Sequence, residues 1–317
     1  MVNPSKEILD WAQEGRLAAR DVRKALEAGG ALPSAADWRW FLDCLLLFTG
    51  VVLLAAGVVF FLAYNWRDLG RFAKFGLVEL PLLATLAALW RLGLDRPAGK
   101  AALLLAALLA GALLALIGQT YQTGADTFEL FAAWAVAVLP WVILGRFAAL
   151  WVLWLALVNL AVSLYFQAFH GVLGIAFGPE RQMWALFAIN GMALVAWEIT
   201  EGLHSRWAPQ LIATAVAAIV TALAVVAIFD PRSTAAVNAA IWFAWVGATY
   251  AVYRRFLKDL YMLGLGALSV IVVGATFVGK LIEFRHSASF LFMGLLVIGL
   301  SAAAGYWLRR IGAEEHG

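Results

Sequence analysis

Ten apolar blocks follow one another through this chain, at roughly 41–64, 75–92, 101–119, 127–144, 148–166, 183–199, 209–229, 235–253, 261–279 and 289–308. A helix needs about 17 to 25 residues to cross the hydrocarbon of a bilayer. The backbone finds no water there, so only helices and closed barrels are stable. The blocks lack the period-two alternation of barrel strands, which leaves helices. Composition agrees, with 64% hydrophobic and 14% charged residues, whereas soluble domains hold about a half and a quarter. The predicted fold is all-α. A polytopic transmembrane helix bundle of about ten spans covers 41–310, after a short N-terminal cytoplasmic helical hairpin in 1–40 and before a short tail, 311–317. The first block begins at Phe41, too far in for a cleaved signal peptide, and reads as a retained span.

Residues 1–40 are the one segment with a soluble character. Ser5 can cap a first helix, with Ile8, Leu9 and Ala12 on one face. Gly15 breaks it. A second helix covers Leu17 to Ala28 and ends at Gly29, Gly30 and Pro33. The pair has too little core to stand alone. It suits docking of a cytoplasmic protein or dimerisation better than DNA reading, which needs a supporting third helix. No nucleic-acid partner is expected.

Charge sets the expected topology. With the N-terminus in the cytoplasm, sixteen of the 23 Lys and Arg residues fall inside and seven outside. That bias places both termini in the cytoplasm. Tryptophans near the predicted span ends read as an aromatic belt.

The polar run Gly118 to Glu129, GQTYQTGADTFE, then becomes an outer loop entering the fourth span. Gln119, Gln122, Asp126 and Glu129 would share one face of a continuous helix, although Gly118 and Gly124 oppose continuity. Asp126 and Glu129 also have the spacing of a capping box, which explains both carboxylates structurally. The functional alternative is a polar vestibule for a cation or head group. Glu79, about one turn inside the second span and just before Pro81, needs a partner, with Arg67, Arg71 and Gln122 as candidates. Asn159, Asn190 and Asn238 sit in the outer parts of their spans, where interhelical hydrogen bonding competes with ligand binding. The candidate substrate-binding residues are therefore Glu79, Gln119, Tyr121, Gln122, Asp126, Glu129, Asn159 and Asn190.

No catalytic residue, metal site or cofactor is expected. The single cysteine, Cys44, excludes an internal disulfide and a Cys-based metal cluster. HExxH, GxxxxGK[ST], GxSxG and TVGYG patterns are missing. An intramembrane enzyme acting on lipid-linked substrates would need Asp126 or Glu129 as base, with His170 as its second group.

A short helical hairpin precedes a first span ending in Tyr64, Asn65 and Trp66, and GQTYQTGAD precedes a span with Trp134 and Pro140. In this order the chain resembles, over roughly 5 to 165, the bacterial predicted-membrane-protein family filed as domain of unknown function 2157. Residues 255 to 310 look loosely like families often seen beside it. The resemblance implies a bacterial inner-membrane protein and carries no established activity. The functional expectation is transport or handling of a small polar solute or lipid head group through a cavity on the outer face. The alternative is a scaffold or sensor that docks a partner through residues 1–40.

Overall fold

Twelve helices make up the regular structure of the described residues, 4–169, 178–200, 205–230, 234–282 and 287–316, in the computed structural model of the protein. Ten of these helices are long and apolar enough to cross a membrane. The chain divides into two compact units, residues 1–116 and 117–315.

The first unit opens with α1 (Pro4–Gln13) and α2 (Val22–Ala28). Ile8 is 7% exposed, and a Cβ on Gly29 would lie 2.9 Å from its Cδ1. Next comes α3 (Ala35–Tyr64), which begins earlier than the apolar block at 41. Ser34 explains the early start. Its hydroxyl accepts the Asp37 amide at 3.2 Å, and the Asp37 carboxylate accepts the Ser34 amide at 2.8 Å. This reciprocal cap satisfies amides that would otherwise lack partners.

Leu62 of α3, Val78 of α4 (Arg71–Leu92) and Leu116 of α5 (Pro97–Tyr121) form one buried cluster with Trp66 and Phe75 at its edge. Lys74 lies over the Trp66 ring, 3.8 Å from its centroid, a contact that offsets part of the cost of removing the ammonium from water. Pro81 interrupts the amide ladder of α4, and the Thr85 hydroxyl donates to the Pro81 carbonyl at 2.6 Å. Gly93 ends α4 at φ 74°. Its carbonyl would stand 1.7 Å from a Cβ on Gly99, so only glycine fits where α5 turns back.

The second unit comprises α6 (Thr127–Gly145), α7 (Ala148–Phe169), α8 (Pro179–Ile199), α9 (Trp207–Phe229), α10 (Ala235–Arg255), α11 (Leu260–Leu281) and α12 (Ser287–His316). A tight turn with Arg146 at φ 40° folds α7 back on α6. Phe128 then meets Tyr165 at 5.2 Å, and Trp154 donates its indole N–H to the Ala135 carbonyl at 3.1 Å.

The central element is α9, which packs against α8, α10 and α11. Its buried residues include Ala208, Ile212, Ala213, Val216, Ala217, Val220 and Ala224, small or branched side chains at helical spacing. Such residues let helix backbones approach closely where no hydrophobic drive separates lipid from protein. Between α9, α10 and α11, Ser269 contacts the Thr221 hydroxyl at 2.6 Å and accepts the Trp242 indole at 2.9 Å. In α12, Ile311 is 3% exposed and packs with Tyr253, Met262 and Leu263. The helix therefore continues to His316, through the segment expected to be a tail from 311.

The α4–α5 turn gives a direct test. Gly99→Ala is expected to destabilise the protein by about 1–3 kcal/mol through overpacking. Gly76→Ala, whose Cβ would meet nothing within 4 Å, is expected to be neutral or slightly stabilising. Thermal melts in detergent, followed by circular dichroism, compare the two.

Candidate functional site

The polar run closes one helix and opens the next. Thr123 donates its amide to the Gly118 carbonyl at 3.3 Å, with Gln122 left-handed at φ 47°. That is the Schellman arrangement at the end of α5. At the start of α6, Glu129 Oε2 accepts the Asp126 amide at 3.0 Å, as the capping-box spacing predicts. Gln119, Tyr121, Gln122, Asp126 and Glu129 are all exposed. The structure thus brings Asp126 and Glu129 together as a cap.

Asn159 and Asn190 meet in the middle of α7 and α8. Asn190 Nδ2 donates to Asn159 Oδ1 at 2.5 Å, and Asn159 Nδ2 returns a bond to Asn190 Oδ1 at 3.2 Å. Each amide also donates to the carbonyl four residues back, Leu155 and Leu186 respectively. This amide pair links two spans. Asn238 is 1% exposed and donates to Glu180 at 2.7 Å. Glu79 belongs to the first unit and is exposed on α4, where no hydrogen bond or ion pair engages its carboxylate among the described residues. His170 lies outside the described residues. Among the described residues, no group of His, Cys, Asp or Glu could hold a metal ion.

Two further arrangements were not legible as sites in the sequence. The first joins α8, α9, α10 and α11 at one end of the bundle. Arg206 bridges Glu198 at 3.2 Å and Asp259 at 2.7 Å. Gln210 also donates to Asp259 at 3.3 Å, and the Tyr253 hydroxyl donates to Glu198 at 3.1 Å. The other Asp259 oxygen accepts the Tyr261 amide at 2.9 Å, capping α11. Burial alone would raise the Asp259 carboxyl, but hydrogen bonds from Arg206, Gln210 and the Met262 amide hold it below the ordinary range. Burial likewise opposes the Arg206 charge, and the bonds with Asp259 and Glu198 more than restore it. In sequence these groups read as separate span flanks. The signal was a pair of acids, Glu198 and Asp259, at neighbouring span ends with one arginine.

At the opposite end of the same helices, a cleft of about 560 Å³ runs between α9, α10 and α11. Its walls include Ala239, Trp242, Phe243, Val273 and Phe277, and Lys280 stands at one end. Lys280 is the one charged residue of this lining among the described residues, and its ammonium donates to the Ile228 carbonyl. The apolar block read from sequence ends at 279, whereas the helix continues and Lys280 occupies the last turn of α11. Helix order puts this end beside Glu180, Asn238 and the start of α6, and so on the face of the GQTYQTGADTFE loop.

Comparison with known proteins bears out the resemblance over part of the chain. Residues 9–151 match the family described as predicted membrane protein, domain of unknown function 2157. The chain is a membrane protein with about ten candidate spans, similar to that family through the start of α7. No match was found among curated proteins or among solved structures. The cleft and the Arg206 network both lie beyond the matched residues.

These geometries predict two outcomes. Gln122→Gly is expected to stabilise the protein by about 1 kcal/mol, because glycine removes the left-handed strain; a differential melt in detergent measures it. The lowered Asp259 carboxyl contributes stability that is complete above its unfolded value of about 3.9 and is lost as pH falls through the folded one. Melting temperature should therefore be insensitive to this group from about pH 5 to 7 and fall below about pH 4. Asp259→Asn should cost about 1–3 kcal/mol at pH 7 and remove that part of the acid loss.

Proposed function

We propose that this protein handles a membrane amphiphile with an anionic head group, seated in the cleft between α9, α10 and α11. One observation carries the reading: among the described residues the cleft is walled by apolar side chains, with one cation, Lys280, at one end. A pathway for a polar solute would need polar walls, and the central amides Asn159 and Asn190 bond to each other instead. The volume of about 560 Å³ falls in the usual range for small-molecule sites, roughly 300–1,000 Å³. From Val270 to Lys280 the wall follows α11 for about 15 Å at 1.5 Å per residue. That length suits an acyl chain, with a phosphate or carboxylate at Lys280. The Lys and Arg bias supports placing both termini in the cytoplasm and the Lys280 end outside. The resemblance supports a bacterial inner membrane as the setting.

The test is lipid binding by the purified chain in nanodiscs. Phosphatidylglycerol should be retained over phosphatidylcholine, read by native mass spectrometry or spin-label quenching of Trp242. Lys280→Gln should weaken phosphatidylglycerol binding about five-fold, as expected for one cation near a membrane surface, worth about 1 kcal/mol. Gly274 lines the cleft, and a Cβ there would meet nothing within 4 Å. Gly274→Leu should fold normally and exclude both lipids. Parental binding by both variants would overturn the proposal.

A further inference from the structure

A second cavity, of about 200 Å³, lies where the start of α7 meets the end of α8 and the first turns of α9. It is at the Arg206 end of the bundle and shares no lining residue with the cleft of α9, α10 and α11. Three indoles line it, from Trp151, Trp154 and Trp197. The Trp151 and Trp154 rings stand nearly perpendicular, at 84°, with centroids 5.8 Å apart. Aromatic faces set at such angles around a small space attract a cation through their quadrupoles.

The indole N–H groups of Trp154 and Trp197 differ. Trp154 donates to the Ala135 carbonyl. Trp197 is 8% exposed, and its Nε1–H is buried with no acceptor among the described residues. Tryptophans of an interfacial belt usually turn this group toward head groups or water. A buried, unpaired donor lowers stability, and an apolar ring of similar shape would avoid the penalty. A ligand oxygen beside Trp197 would satisfy the group.

Among the described residues the remaining lining is Leu155, Ala193, Ala196, Thr200 and Ile212, with no charged side chain. No carboxylate among the described lining residues would replace the water that a primary ammonium loses here. A quaternary ammonium spreads its charge over methyl groups and suits aromatic walls. The volume is below that of drug-sized sites, roughly 300–1,000 Å³, and fits a head group alone. We propose that the Trp151–Trp154–Trp197 cavity binds a quaternary ammonium group bearing a nearby acceptor oxygen, the chemistry of choline. Free choline and the head group of a choline phospholipid both supply it. This site stands independently of the amphiphile cleft.

The experiment is equilibrium dialysis of the full chain in maltoside detergent against labelled choline. Phosphatidylcholine nanodiscs, with head-group contacts read by NMR cross-relaxation to the indoles, form a second arm. Choline should bind several-fold more tightly than tetramethylammonium, which lacks the acceptor. Trp197→Phe should abolish that preference, yet melt at the parental temperature or above without ligand, because it removes the unpaired donor. Trp151→Leu should lose binding of both cations. Binding of free choline assigns the site to a soluble ligand, and cross-relaxation in nanodiscs alone assigns it to lipid. Binding in neither arm, or parental binding by both variants, overturns the proposal.

Discussion

A backbone amide in hydrocarbon has no water to bond, and the architecture of this protein follows from that condition. Every described element that could cross a membrane is a helix, because a helix satisfies its own amides. The same condition governs polar side chains. Asn159 bonds Asn190, Ser269 joins Thr221 and Trp242, and Asn238 donates to Glu180. Each pairing links two helices, so the groups most costly to bury also set which faces meet.

Within the second unit, α9 is the element around which its neighbours arrange. Small residues along it let α8, α10 and α11 approach closely. Toward the Lys280 end, Ala224, Ala227, Ala235 and Ala239 leave too little bulk to fill the space before Trp242 and Phe277. A cleft results, where larger side chains would have made a core. At the other end the helices are clamped by Arg206 between Glu198 and Asp259. Among the described residues, one end is held by charge and the other is open and apolar.

Much of the fold is legible in the amino-acid sequence. Helix type, the number of candidate spans and the Asp126–Glu129 cap follow from apolar block length and local spacing. Less legible are the places where helices extend beyond their hydropathy. Ser34 starts α3 ahead of its apolar block, and Ile311 extends α12 through buried contacts. The candidate sites are harder still to see. The polar loop is conspicuous in sequence, yet its residues are exposed. Lys280 and Trp197 look ordinary one at a time, and each gains its meaning from the helices packed against it.

The sequence by itself determined that this chain is a set of membrane-crossing helices, because block length and the needs of the backbone are local properties. It also determined the caps at Asp126 and Glu129, since their bonds span three residues. Only the tertiary structure decided which polar groups serve as links, which charges form a network and where the helices leave space. Those outcomes depend on residues far apart in the chain, such as Arg206 with Asp259 and Ala239 with Phe277. Their meeting is set by how helix faces pack, and no local pattern carries it.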